Sequence, residues 1–177
     1  ACWYMRDILV SLAHGFFQIA PGIFIDTCDG YYGCFYGGSG IIFRAPYCYP
    51  KRSYVAYAAL TYALDGVTEP KRLDTGSTTA YALAFRRADG RYATALWAAR
   101  GEIDFEVDSP VRGTVVHFYG DESRLGRNGD TVRAGEHPAY LVTDEPVRSV
   151  RVAKRHAVRG DAIAACGKAV DVAGHGA

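Results

Sequence analysis

The chain has 177 residues, 49% apolar and 22% charged, with a formal net charge of +1. This is the composition of a folded protein, sized for one domain or a domain with a partial neighbour. The charge balance gives no electrostatic footprint for nucleic acid or an anionic membrane surface, and no apolar run approaches the roughly 20 residues that span a bilayer.

Cys2 to His14 reads as a helix. Tyr4, Ile8 and Leu12 form one stripe with Met5, Leu9 and Ala13 beside it, the spacing of a buried face. Gly15 is a natural stop, and His14 lies in the last turn, where the carbonyl end favours positive charge. Arg6 and Asp7 interrupt the pattern in a way no signal peptide does. Because the first residue is not Met, the true amino terminus is expected to lie upstream.

Phe16-Phe17-Gln18-Ile19-Ala20 is a short, nearly continuous apolar run, which predicts a strand covered on both faces, as in a parallel sheet. A helix, one glycine and a buried strand together make the αβ half of a βαβ unit. A long loop follows, from Pro21 to Tyr49. Long loops at the carboxyl ends of parallel strands carry the binding surfaces of α/β folds. This one holds Asp26, Asp29, Tyr31, Tyr32 and Tyr36, the candidate substrate-binding residues. Aromatic faces stack on the C–H groups of a pyranose, and carboxylates accept hydrogen bonds from its hydroxyls. The competing reading is that the tyrosines pad the loop and its glycines allow the turns. Gly37-Gly38-Ser39-Gly40 lacks the spacing and the lysine of a phosphate cradle.

The second helix begins after Pro50, with Tyr57, Leu60 and Leu64 as its buried stripe, small alanines for close packing and Gly66 as its end. From Val67 the period changes to two. Tyr81, Leu83 and Phe85 alternate with small residues, Ala88-Asp89-Gly90 makes a hairpin turn, and Tyr92, Thr94 and Leu96 continue. Glu102 to Asp108 alternates acids with apolar residues. The acids tempt a catalytic or calcium reading, but such alternation is the ordinary wet face of a strand. Further strands are expected near 113–119, 130–134 and 139–143, and 147–152 reads as one more strand or as the exit to another domain. Regular short strands of this kind predict an antiparallel sandwich over 67–152.

Residues 153–177 read as a tail or the start of a further segment, Ala/Gly/Val-rich and poorly ordered beyond Ala162. Arg148, Arg151, Lys154, Arg155 and Arg159 form a loose basic cluster, read as a solvated face. The tripeptide Arg159-Gly160-Asp161 has no support as an adhesion motif. The five cysteines, Cys2, Cys28, Cys34, Cys48 and Cys166, fit no zinc spacing. They read as buried or partly buried free thiols, with a Cys28–Cys34 loop disulfide as the alternative.

The helix, strand, aromatic loop, Pro50-Lys51-x-x-Tyr54-x-Ala56 helix start and following sandwich resemble the carboxyl end of retaining glycoside hydrolases built on a TIM barrel. Asp29-Gly30 and Gly40-Ile41-Ile42 would occupy the loop after the last barrel strand. Leu73 to Ser77, Tyr81 to Phe85 and Ala95 to Trp97 look like the first sandwich strands, and Pro138 to Val142 like the closing one. The fold class implied is mixed α/β then all-β: a partial (β/α) barrel unit over 1–66, then the sandwich.

The implied function is the terminal portion of a glycoside hydrolase-like protein acting on poly- or oligosaccharides. It would complete and brace the barrel without its own catalytic pair, since retaining hydrolysis needs two carboxyl groups about 5–5.5 Å apart and no residue here matches a family catalytic position. No cofactor is implied. The expected partners are carbohydrate and the remainder of the barrel or a partner subunit, and resembling hydrolases are commonly exported. Two rivals stand beside this reading: a carbohydrate-binding module that grips glycans through the tyrosine-rich loop, and a purely structural or interaction sandwich. If the leading segment is an orphaned barrel piece, a chain beginning near Val67 should behave better in solution than the whole.

Overall fold

The computed structural model describes residues 2–16, 19, 24–26 and 40–156. Among the described residues, two helices, α1 (Cys2–Ala13) and α2 (Arg52–Ala63), precede nine strands. These are β1 (Thr68–Leu73), β2 (Ala80–Arg86), β3 (Tyr92–Ala98), β4 (Glu102–Asp108), β5 (Gly113–Val116), β6 (Glu122–Leu125), β7 (Asp130–Gly135), β8 (Ala139–Thr143) and β9 (Ser149–His156).

The strands form a six-stranded sheet in the order β1-β2-β3-β8-β5-β6 and a three-stranded sheet in the order β7-β4-β9. All neighbours run antiparallel. After β3 the chain passes to the second sheet for β4 and returns for β5 and β6. It crosses again for β7, inserts β8 between β3 and β5, and ends on β9. Repeated crossing makes the two sheets one sandwich.

Period-two alternation sorts the side chains between two cores. Between the sheets lie Ala82, Leu96, Ile103, Phe105, Val107, Val115, Val132, Leu141 and Val150, all buried. The opposite face of the six-stranded sheet presents Leu83, Phe85, Ala95, Trp97, Val116, Tyr140 and Val142. These pack under Met5, Ile8, Leu9 and Leu12 of α1 and Ala56, Ala59, Leu60 and Ala63 of α2. Each large apolar side chain removed from water in this way contributes about 2 kcal/mol. The molecule therefore has three layers: helices, six strands, three strands.

This layering overturns the partial (β/α) barrel unit. The described sheets are antiparallel throughout, and the two helices cover a face of the sandwich rather than alternate with parallel strands. Phe16 and Ile19 lie outside any strand, and Phe16 is 65% exposed. Phe17, Gln18 and Ala20 lie outside the described residues. Among the described residues, the parallel pairing is a single bridge between Ile25 and Ile42. The physical reason is that the apolar stripes of both helices find their partner in the outer face of β2, β3 and β8.

Two strands carry no apolar alternation: the first sandwich strand, expected over Leu73 to Ser77, lies instead at Thr68–Leu73, and β6 escaped the sequence reading. β1 is Thr-Glu-Pro-Lys-Arg-Leu, with a register irregularity between Thr68 and Lys71 and Glu69 at φ +53°. β6 buries Leu125 alone. Both are sheet edges, where proline, charge and bulges discourage further pairing.

Candidate functional site

Among the predicted site residues, Asp26 is described, while Asp29, Tyr31, Tyr32 and Tyr36 lie outside the described residues. Asp26 is buried, and its Oδ1 accepts the Gly40 amide at 2.9 Å and Lys51 Nζ at 2.6 Å. The backbone repeats the connection: Asp26 N donates to Ile42 O, Ile41 N and Ile42 N both donate to Phe24 O, and Lys51 N donates to Ile41 O. Gly40 is required here by proximity, since a Cβ would lie 2.5 Å from the Asp26 amide nitrogen. The tie joins residues 24–26 to the start of α2, where Lys51 is the extended N-cap residue without a side-chain cap. The Pro50-Lys51 helix start thus has a local structural job: it ends the loop and delivers an ammonium group to a buried carboxylate. That pairing is what allows the carboxylate to be buried.

Beyond the tie, the loop forms an aromatic group that the sequence reading did not single out. Phe43 stacks on Tyr49 with centroids 4.8 Å apart, and Tyr47 meets Phe43 edge-on at 6.0 Å. Tyr47 and Tyr49 are exposed. Cys48 beside them is a free, exposed thiol, and Cys2 is free and half-buried.

The helix layer has a second face. On α2, Tyr54, Val55, Ala58 and Tyr62 point outward and are exposed, opposite the buried Ala56, Ala59, Leu60 and Ala63. From Ser53 to Leu64 the helical stretch carries no charge. A surface helix ordinarily presents a polar outer face; here the exposed polar residues of the helix are Arg52 and Thr61, and the Thr61 hydroxyl donates to the carbonyls of Tyr57 and Ala58.

The acidic row of β4 lies on the outer face of the three-stranded sheet. Its Asp104 accepts Arg133 Nε at 2.8 Å and pairs with His156 Nε2 at 2.8 Å. Arg133, and after it His156, lower the Asp104 carboxyl to about 2. Glu102 and Glu106 remain exposed. Cross-strand ion pairing accounts for this face, which is not a converging catalytic pair.

No protein-family model and no curated protein matches the chain.

Proposed function

We propose that this chain is a non-catalytic portion of a glycoside hydrolase-like protein acting on poly- or oligosaccharides. In this reading the sandwich braces a catalytic body through the outward face of α2, and the hydrolytic carboxylates lie on that body. The observation that carries the proposal is the uncharged outer stripe Tyr54, Val55, Ala58 and Tyr62, on a helix already packed on its inner side. Its aromatic side chains are of the kind enriched at the centres of protein interfaces. The carbohydrate assignment comes from the sequence resemblance that runs from Pro50-Lys51-x-x-Tyr54 into the sandwich, without the barrel. The commitment of Asp26 to Lys51 and Gly40 supports the non-catalytic one.

Two measurements on the purified chain test this. Sedimentation velocity is expected to show self-association through the uncovered stripe, abolished by the double substitution Tyr54→Glu, Tyr62→Glu with circular dichroism unchanged. Incubation with aryl glycosides is expected to give no turnover. A monomer indifferent to the double substitution would remove the bracing face, and turnover lost on Asp26→Asn or Asp29→Asn would overturn the non-catalytic reading.

A further inference from the structure

A separate groove lies where the first turns of α1 cross the ends of β2 and β3. Trp3, Arg6, Asp7 and Val10, spaced i, i+3, i+4 and i+7, make its wall, while Tyr81 and Trp97 make its floor. Its volume is about 340 Å³, within the range of small-molecule sites.

The rings in it are held in place. Tyr81 and Trp97 are register partners on adjacent strands and stack with centroids 4.9 Å apart and 7° between planes. Arg72 lies over the Tyr81 ring at 5.4 Å. On the wall, the Arg6 guanidinium sits 4.9 Å from the Trp3 centroid, and its Nη1 donates to the carbonyls of Ala98 and Ala99 at 3.4 and 3.3 Å. These contacts pin α1 to the end of β3 while leaving Trp3 79% exposed. An exposed indole backed by an ordered cation is a preorganised platform, and preorganisation lowers the entropic cost of binding.

We infer that this groove binds a neutral pyranose unit of an oligosaccharide. The ligand class follows from the chemistry of the lining. Arg6 and Asp7 put one cation and one anion side by side, a balance that favours neither an anionic nor a cationic ligand. A guanidinium that donates next to a carboxylate that accepts matches vicinal hydroxyls, each of which can do both. The outer face of the exposed Trp3 indole matches the C–H face of the ring, while Tyr81, already stacked by Trp97 and Arg72, forms the floor beside it. The inference deepens the carbohydrate part of the proposed function but uses none of the α2 bracing stripe. Its failure would therefore appear in ligand titrations, whereas failure of the bracing face appears in sedimentation.

The chain has two tryptophans, and Trp97 lies at the groove floor, so emission is read in a Trp97→Phe variant, whose signal comes from Trp3 alone. Titration with cellohexaose, xylohexaose and mannohexaose is expected to shift the Trp3 emission to the blue for at least one of them. Calorimetry should return the same affinity. Trp3→Ala should weaken that binding about tenfold or more, the loss of one ring contact, and Asp7→Asn should weaken it measurably with the melting temperature unchanged. Absence of binding by all three at millimolar concentration would overturn the inference. So would equal binding by Trp3→Ala, or a preference for a galacturonate oligomer or a decaproline peptide.

Discussion

Asp104 illustrates how a single carboxylate on a wet strand face can matter without being catalytic. It faces Arg133 on β7 and His156 on β9 at once, with Arg133 the stronger influence. A carboxyl whose folded-state pKa is depressed contributes stability above its unfolded value. That contribution is lost as pH falls through the folded value. For Asp104 the window runs from the ordinary 3.8 down to about 2. Over that window the acid-unfolding curve of the wild-type chain is expected to steepen relative to Asp104→Asn. Added salt should shrink the difference, since Arg133 is exposed. Chemical denaturation at a series of pH values checks this. The acidic row was legible from its alternation, but its partners on β7 and β9 were not, because cross-strand register is set by sheet order.

At the scale of elements, α2 is joined to the sandwich at its carboxyl end by Arg87. This side chain is 7% exposed and reaches from the β2–β3 hairpin to the carbonyls of Tyr62 and Ala63. Asp89 holds the same guanidinium from the turn, at 3.1 Å. In exchange, Arg87 and then Arg91 hold the Asp89 carboxyl well below the usual carboxylate range. A cation on the last carbonyls of a helix satisfies orphan acceptors and complements the dipole. Gly66 lets the chain turn tightly there: its φ is +55°, and a Cβ would lie 2.6 Å from that of Ala88. Replacing Arg87 with Met keeps the stem but loses these bonds. It is expected to destabilise the fold by about 2–3 kcal/mol, the range for hydrogen bonds to a charged group. A urea midpoint shift at unchanged slope would show it. Neither end of this connection could be read from local pattern, because hairpin and helix meet only after β2 and β3 have paired.

For the whole molecule, the decisive fact is that the helices and the six-stranded sheet share one core. The expectation that a chain starting near Val67 is better behaved followed from treating the leading segment as a foreign barrel piece. With α1 and α2 absent, Leu83, Phe85, Trp97, Val116, Tyr140 and Val142 would lose their cover. A contiguous apolar surface of that kind drives association. The shortened chain 67–156 is therefore expected to aggregate and bind a hydrophobic dye more strongly than the whole chain. Equal, compact monomers of both lengths in sedimentation would show that the helix layer is dispensable.

Local periodicity determined a great deal. The apolar stripe of α1, the helix start after Pro50, and the alternation of β2, β4 and β7 are written in three to seven residues each, because side-chain direction along a helix or strand depends only on spacing. Only the folded chain decided which surface those stripes meet. A buried helix face looks the same in sequence whether it lies on a parallel barrel or on the back of an antiparallel sandwich. β3 and β8 are buried on both sides, and polar edges β1 and β6 pair without any apolar signal. The groove between α1 and Tyr81 likewise exists because the pairing of β2 with β3 brings Trp97 beside Tyr81 and the helix layer sets Trp3 on the same groove. Spacing along the chain encodes faces, and the pairing of faces is a property of the assembled layers.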